Sequence, residues 1–409
     1  MKGLVLEGGG TKGAYQIGAY KAFRELGIEF NGVAGTSIGA INGAFIVQNS
    51  IEVMEDIWAN YDYTSFMDMD EEAYEKYKNV DFTPKNLNMV LDLIYKARKN
   101  QGIDITPLKK LLEENIDEKA IRNSNKDFGI VTVHWDKKFN PHPLYIEDIP
   151  EGKLVDYLIA SASLPIFNLE KIDDKLFLDG MFSDNIPVKL LVDKDYKEIV
   201  VIRLLTDFIG NMNIQKFMDK GINVKVIMPS EPLGGSLNKD KDIIEKNIRL
   251  GYLDTMKSYQ RYEGVRYYFN LDYKYDENYC FDRFKNLKNQ TIEDLCKVLG
   301  IKRGISRRVL FENLIPRIGE ILGLDKEFTY KELFYAVYEQ KLQENDIKRV
   351  NLYDFSKLLD TVHKNYNINY HINDNKENDE IESLNIPILK SKLPKVLTNL
   401  IIGDFKNQG

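Results

Sequence analysis

The sequence predicts an α/β fold with a mostly parallel central sheet, followed by a helical C-terminal domain. Three observations carry this. Over the first forty residues, short apolar runs that end in glycine turns alternate with segments of helical period. Further strand-like runs follow at 130–134, 176–178, 198–204 and 224–228. After about residue 273 the strand patterns fade and helical periodicity takes over.

Residues 3–6 read as a buried parallel strand ending in Gly8-Gly9-Gly10. A helix is expected over 11–26, closed by Gly27 as a left-handed stop. On it Ala14, Gly18 and Ala22 share one face, a stripe small enough to lie close on a neighbour. A second strand, 32–34, runs into Gly35-Thr36-Ser37-Ile38-Gly39, and another helix with small residues at Gly39, Ala40, Gly43 and Ala44 follows. The stretch 58–100 breaks the alternation. Its Trp58, Tyr61, Tyr63, Phe66, Met67, Met69, Tyr74 and Tyr77 read either as a lid over a lipid-sized pocket or as ordinary helices with an aromatic core. Helices are expected at 291–299, 306–322, 330–343, 347–366 and 395–402, with an exposed polar loop over 367–385. The expected division is an α/β domain over 1–270, with 58–105 as the lid insertion, and a helical domain over 271–409.

Composition narrows the function. Of 409 residues, 43% are apolar and 29% charged, a soluble globular balance, and the net charge of −7 argues against a protein that coats nucleic acid. No apolar run approaches the roughly 18–20 residues that span a bilayer, and Glu7 and the glycines interrupt any secretory leader. Cys280 and Cys296 are too few and too far apart for a disulfide framework or a metal motif, so no metal and no cofactor are expected. The expected location is cytoplasmic, with peripheral contact at the membrane as the alternative, and oligomeric state is left open.

Gly35-x-Ser37-x-Gly39 fits the turn that presents a nucleophilic serine between a strand and a helix. Gly35 and Gly39 leave room for the strained turn, and the helix N-terminus favours negative charge beside the serine oxygen. Gly8, Gly10 and Gly13 also satisfy G-x-G-x-x-G, but the acidic residue that a dinucleotide site needs after the second strand is missing; Glu29 lies before it. Backbone N–H groups of a glycine loop beside a serine turn suit an oxyanion hole; a plain tight turn is the remaining reading.

The serine needs a base. The four histidines, His134, His142, His363 and His371, have no pattern that ties them to it. Leu176-Phe177-Leu178-Asp179-Gly180 offers a carboxylate at the end of an apolar strand, unless Asp179 merely opens a turn.

Taken together, these pieces resemble the patatin-like phospholipases. The resemblance rests on Gly8-Gly9-Gly10-Thr11-Lys12-Gly13, Gly35-Thr36-Ser37-Ile38-Gly39-Ala40, Ala160-Ser161-Ala162-Ser163-Leu164-Pro165, Asp179-Gly180 followed by Asn185-Ile186-Pro187-Val188, and Gly251-Tyr252-Leu253-Asp254-Thr255. It covers about residues 2–257. It implies a three-layer α/β/α fold and a Ser-Asp dyad that hydrolyses acyl esters of lipids, phospholipid or lysophospholipid. Ser37 would then be the nucleophile and Asp179 the base, with an oxyanion hole drawn from Gly8, Gly9, Gly10 and Thr11. Met181 departs from the Gly or Ala usual after the Asp-Gly pair, which would narrow the site or redirect acyl chains. Lys12 reads either as a cation near the oxyanion loop or as a solvated surface residue. A non-catalytic lipid- or partner-binding module, a nucleotide-binding protein and an acyltransferase are the competing readings. Lys302, Arg303, Arg307, Arg308 and Arg317 lie on a helix with Val309, Leu310, Leu314 and Ile318, which reads as a face for anionic lipid or as the solvated side of a packed helix.

Overall fold

The computed structural model describes residues 1–60, 74–75, 78, 103–134, 140–168, 171–205, 208–238, 240–302, 304–365 and 386–408. Almost all of the expected lid stretch and the polar stretch 367–385 lie outside the described residues. The chain divides into two units, Met1–Ser258 and Tyr259–Gly409.

In the first unit, β1 (Lys2–Leu6), β2 (Gly32–Thr36), β3 (Asp127–His134), β7 (Glu198–Ile202) and β8 (Asn223–Ile227) pair in parallel in the order β3-β2-β1-β7-β8. Three antiparallel strands extend the β3 side: β4 (Asn140–Tyr145), β5 (Lys171–Ile172) and β6 (Lys175–Asp179). β4, Asn-Pro-His-Pro-Leu-Tyr, does not read as a strand, because two prolines remove ladder donors. It pairs with β3 alone, as a proline-bearing strand must when one of its sides stays out of the ladder.

Alternation along β1 sets the layers. Gly3 and Val5 face the helix Val188–Val192: a Cβ on Gly3 would meet Leu191 at 2.6 Å. Val5 joins Ala34, Val131, Ile199 and Val201 in a core with Leu190, Leu191 and Ile214. Leu6 and Val33 face the opposite layer, where Gly43 of α2 (Ile38–Val47) packs against both. α1 (Ala14–Glu25) lies in contact with the helix Lys241–Ser258. The small-residue stripe explains the contact: a Cβ on Gly18 would sit 1.7 Å from the Ile248 carbonyl oxygen, and one on Gly251 would sit 2.0 Å from that of Tyr15. The Tyr15 hydroxyl donates to Asp254 Oδ2 at 3.0 Å, so the Gly251–Thr255 segment locks the crossing. The expected helix over 11–26 begins as a 3-10 turn, Gly10–Gly13, before α1.

The second unit is mainly helical around an aromatic core that includes Tyr267, Phe269, Tyr275, Phe284, Phe334, Tyr335, Tyr338, Phe355 and Phe405. It also holds a small sheet the sequence does not reveal: Leu352–Tyr353 pairs in parallel with Tyr268–Asn270, which pairs with Tyr262–Glu263. The expected helix over 347–366 is therefore shorter, Phe355–Asn365, because the Asp354 carboxylate accepts the Lys357 N–H at 3.1 Å and starts it there. The last helix, Ile386–Asn407, runs through Pro394 rather than starting after it, with Leu397, Ile401 and Phe405 buried on one face. Val309, Leu310, Leu314 and Ile318 are buried in the unit's core, which agrees with the packed-helix reading of that segment and not with the lipid-face one. Arg308 pairs with Glu312 at 2.9 Å and Arg307 donates to the Leu287 carbonyl at 2.8 Å. Among the described residues, no helix is long and apolar enough to cross a membrane.

Candidate active site

The site forms where β1, β2 and β6 end. After β1, the chain turns through Gly8, Gly9 and Gly10. Gly10 has a φ of +60°, and a Cβ there would lie 2.1 Å from the Ser236 carbonyl oxygen, so only glycine fits. That carbonyl accepts the Thr11 N–H at 2.9 Å, and the Asn185 carbonyl accepts the Gly8 N–H at 3.3 Å. This corrects the expected oxyanion set: the Gly8 and Thr11 amides are already committed. Gly9 and Gly10, which line the same cavity as Ser37, have no amide acceptor among the described residues.

Beneath the loop sits a buried ion pair that sequence reasoning missed. Glu7 and Arg203 are both almost completely buried, and Arg203 Nε donates to Glu7 Oε2 at 2.9 Å. The same oxygen accepts the N–H groups of Leu204 (2.5 Å) and Leu205 (3.0 Å), at the end of β7. Burial raises the Glu7 carboxyl above the ordinary carboxylate range, and Arg203 and the two amides oppose that rise. Leu204 packs against Gly9, so the pair ties the loop to β7. The one sequence signal was two opposite charges flanking apolar strands, a pattern too common to single out.

The second turn is a strained elbow. Ser37 has φ 57° and ψ −128°, a region that non-glycine residues rarely occupy, at the N-terminus of α2. Its flanking glycines are sterically required. A Cβ on Gly35 would lie 2.2 Å from the Gly39 carbonyl oxygen, and one on Gly39 would lie 2.3 Å from that of Leu6.

Asp179 reaches Ser37 through sheet register. β4 and β6 both pair with residues 132–134 of β3, while β4 and β2 both pair with 129–131. A strand has two edges, so β2 and β6 share one edge of β3, end to end. The last β2 pair is Thr36 with Val131, and the neighbouring β6 pair is Asp179 with Thr132. The two strand ends therefore meet, and Ser37 Oγ donates to Asp179 Oδ2 at 2.6 Å. The other carboxylate oxygen, Oδ1, accepts the Met181 N–H at 2.8 Å. Asp179 is 0% exposed, and this burial pushes its carboxyl up to about 7 despite the two hydrogen bonds that lower it.

Ser37 opens into a cavity of about 70 Å³ that is continuous with solvent. Its walls are apolar, with Trp58, Leu108, Leu164, Phe167, Met181 and Leu237 among them, and no charged side chain lines it among the described residues. Met181 thus lines this cavity. Lys12 is only 4% exposed, which removes the solvated surface reading. His134 and His142 each make a tilted ring contact with Phe177 and do not line the cavity; His363 hydrogen-bonds with the Tyr338 hydroxyl in the second unit, and His371 lies outside the described residues. Among the described residues, no group of three or more His, Cys, Asp or Glu side chains could hold a metal ion.

Residues 4–192 match the family model described as patatin-like phospholipase. Over 210 residues it is 27% identical to neuropathy target esterase sws of Drosophila melanogaster, which takes in 49% of this chain and 12% of that protein. It is 26% identical over 206 residues to patatin-like phospholipase domain-containing protein 7 of Rattus norvegicus, covering 49% and 13%. A 48-residue stretch is 50% identical to lysophospholipase nte1 of Aspergillus terreus, covering 12% and 3%. The chain thus spans a small part of the length of these relatives. Among solved structures, VipD from Legionella pneumophila aligns at a TM-score of 0.41 and 16% identity, over 98% of this chain and 90% of that one. ExoU of Pseudomonas aeruginosa, solved in complex with SpcU, is matched at 0.35 and 14%, over 97% and 85%.

Proposed function

We propose that the patatin-like phospholipase domain of this chain is a serine acyl hydrolase that cleaves fatty-acyl esters of phospholipids or lysophospholipids. The observation that carries the reading is the 2.6 Å hydrogen bond from Ser37 Oγ to Asp179 Oδ2, with Ser37 lining an apolar cavity. Relatives with a lysophospholipase or esterase name support the lipid substrate class.

In the proposed reaction, Ser37 Oγ attacks the ester carbonyl carbon while Asp179 takes its proton. A carboxyl raised to about 7 suits this step, because it holds the proton near neutral pH and can pass it on. The Gly9 and Gly10 N–H groups stabilise the oxyanion of the tetrahedral intermediate. The ester C–O bond then breaks, and Asp179 returns the proton to the leaving alcohol. Water repeats the sequence on the acyl-enzyme: it gives a proton to Asp179, attacks the carbonyl and frees Ser37 and the fatty acid. The acyl chain would lie along Trp58, Phe167, Met181 and Leu237, where its burial contributes about 0.8 kcal/mol per methylene.

The test is product analysis by mass spectrometry after incubation with a mixed lipid extract, with Ser37→Ala and Asp179→Asn in parallel. Free fatty acid and deacylated lipid should appear with the wild-type protein alone. Equal release by either variant would rule out the dyad, and acyl groups transferred to another lipid would point to an acyltransferase.

A further inference from the structure

The proposed reaction leaves one buried hydroxyl beside the dyad without a role. Ser161, at the end of the helix Leu154–Ser161, is 0% exposed. Its Oγ accepts the Ser37 N–H at 3.0 Å and donates to the Val131 carbonyl at 2.6 Å. The hydroxyl therefore stands between the amide of the elbow serine and the strand residue that pairs with Thr36. Two residues on, the Ser163 carbonyl accepts the Asp179 N–H at 2.8 Å. One three-residue segment thus holds the main chain of both dyad members, which are 142 positions apart.

We propose that Ser161 is a positioning residue for acyl transfer: its hydroxyl holds the strained Ser37 main chain so that Ser37 Oγ stays aimed at Asp179. Ser37 keeps a φ of 57° at an energetic cost, and a backbone held there needs partners that over-determine it. The elbow glycines supply the steric room, and the Ser37 amide finds its acceptor in the Ser161 hydroxyl. Ser161 accepts it from a site where water does not compete. Its second bond, to Val131, ties that grip to the same strand whose next residue, Thr132, sets the register of Asp179. Without the hydroxyl, the Ser37 N–H loses this acceptor and the elbow can relax toward an ordinary φ. Oγ then moves off the carboxylate, a displacement that costs turnover rather than substrate binding, because Ser161 does not line the cavity.

This inference rests on the hydrolase reading, and the experiment separates the two. Wild type, Ser37→Ala, Ser161→Ala and Tyr15→Phe are compared on a short-chain ester for kcat and KM, and for thermal unfolding. Tyr15→Phe removes another buried hydroxyl, the one bonded to Asp254, and serves as the stability control. Ser161→Ala should lose about 10²-fold in kcat with KM unchanged, while Tyr15→Phe keeps the wild-type kcat. Inactivation by a fluorophosphonate should slow in parallel, since it uses the same attack. If Ser37→Ala is inactive but Ser161→Ala turns over like wild type, the positioning role is wrong and the hydrolase reading stands. A loss in Ser161→Ala matched by Tyr15→Phe, or one carried by KM, would also overturn it. If wild type and Ser37→Ala are equally inactive, both fall. Should Ser161→Ala fail to fold, Ser161→Cys makes the same comparison with a weaker acceptor that fills the site.

Discussion

The two halves of the candidate site are built by different means. The Ser37 half comes from the first forty residues, where two parallel strands each end in a glycine turn and a helix; its shape is set by close contacts such as Gly10 on Ser236 and Gly39 on Leu6. The Asp179 half comes from antiparallel strands on the β3 side, and its position is set by register and by hydrogen bonds from residues far away in sequence. The first half is set by steric exclusion, the second by topology. A parallel strand with a glycine turn points its following helix at the same end of the sheet each time. An antiparallel strand approaches that end from the opposite direction, and only pairing decides where it stops.

The largest effect should come from cutting the link between the halves. Ser37→Ala and Asp179→Asn should each lower kcat by about 10⁴-fold; if one is far milder than the other, the halves do not act as a unit. The next tests act on one half. Glu7→Gln removes the carboxylate that Arg203 Nε bonds in the interior, and should cost about 3–5 kcal/mol in chemical denaturation. A cost under 1 kcal/mol would show that the ion pair does not brace the glycine loop. Gly39→Ala and Gly180→Ala set one half against the other, since a Cβ on Gly180 would lie 2.2 Å from the Val131 carbonyl oxygen. Both should destabilise by about 3 kcal/mol, and a tolerated Gly180→Ala would mean that the Asp179 half can move aside where the Ser37 half cannot.

The pH dependence belongs to the Asp179 half alone. kcat/KM should fall as pH drops through about 7, because burial holds the Asp179 proton up to there and the protonated carboxyl cannot act as base. The sign for stability is the reverse. A carboxyl raised in the folded state favours folding at low pH, and that contribution is lost as pH rises toward about 7. Asp179→Asn should therefore melt higher than wild type at alkaline pH, with the gap closing as pH falls into the ordinary carboxylate range. A melting difference that ignores pH would contradict a buried, ionising Asp179. The smallest effect is outside both halves: Tyr15→Phe should cost about 1 kcal/mol through its lost bond to Asp254, with kcat unchanged.

Legibility followed the same division. Both glycine turns and the strand at 176–178 could be read from residue types, because turn sterics and strand patterning act over a few residues; the assignment of Asp179 as the serine's partner came only with the family resemblance. β4 could not, since Pro141 and Pro143 mask a strand whose outer edge needs no ladder donors. Neither could the strand pair at Leu352–Tyr353, which sits inside an otherwise helical pattern and is defined by its partner at Tyr268–Asn270.

What the sequence determined by itself was the inventory: a strained serine between glycines, a glycine loop, and an aspartate at a strand end. Each follows from local backbone sterics, which a few residues are enough to specify. The tertiary structure alone decided how that inventory is used. It set Ser37 against Asp179 by placing β2 and β6 on one edge of β3. It committed the Gly8 and Thr11 amides to carbonyls, set Gly9 and Gly10 along the cavity that Ser37 lines, and buried Lys12. It also put the Ser161 hydroxyl between two main chains. Hydrogen-bond partners and desolvation depend on residues more than a hundred positions away, and no local pattern records them.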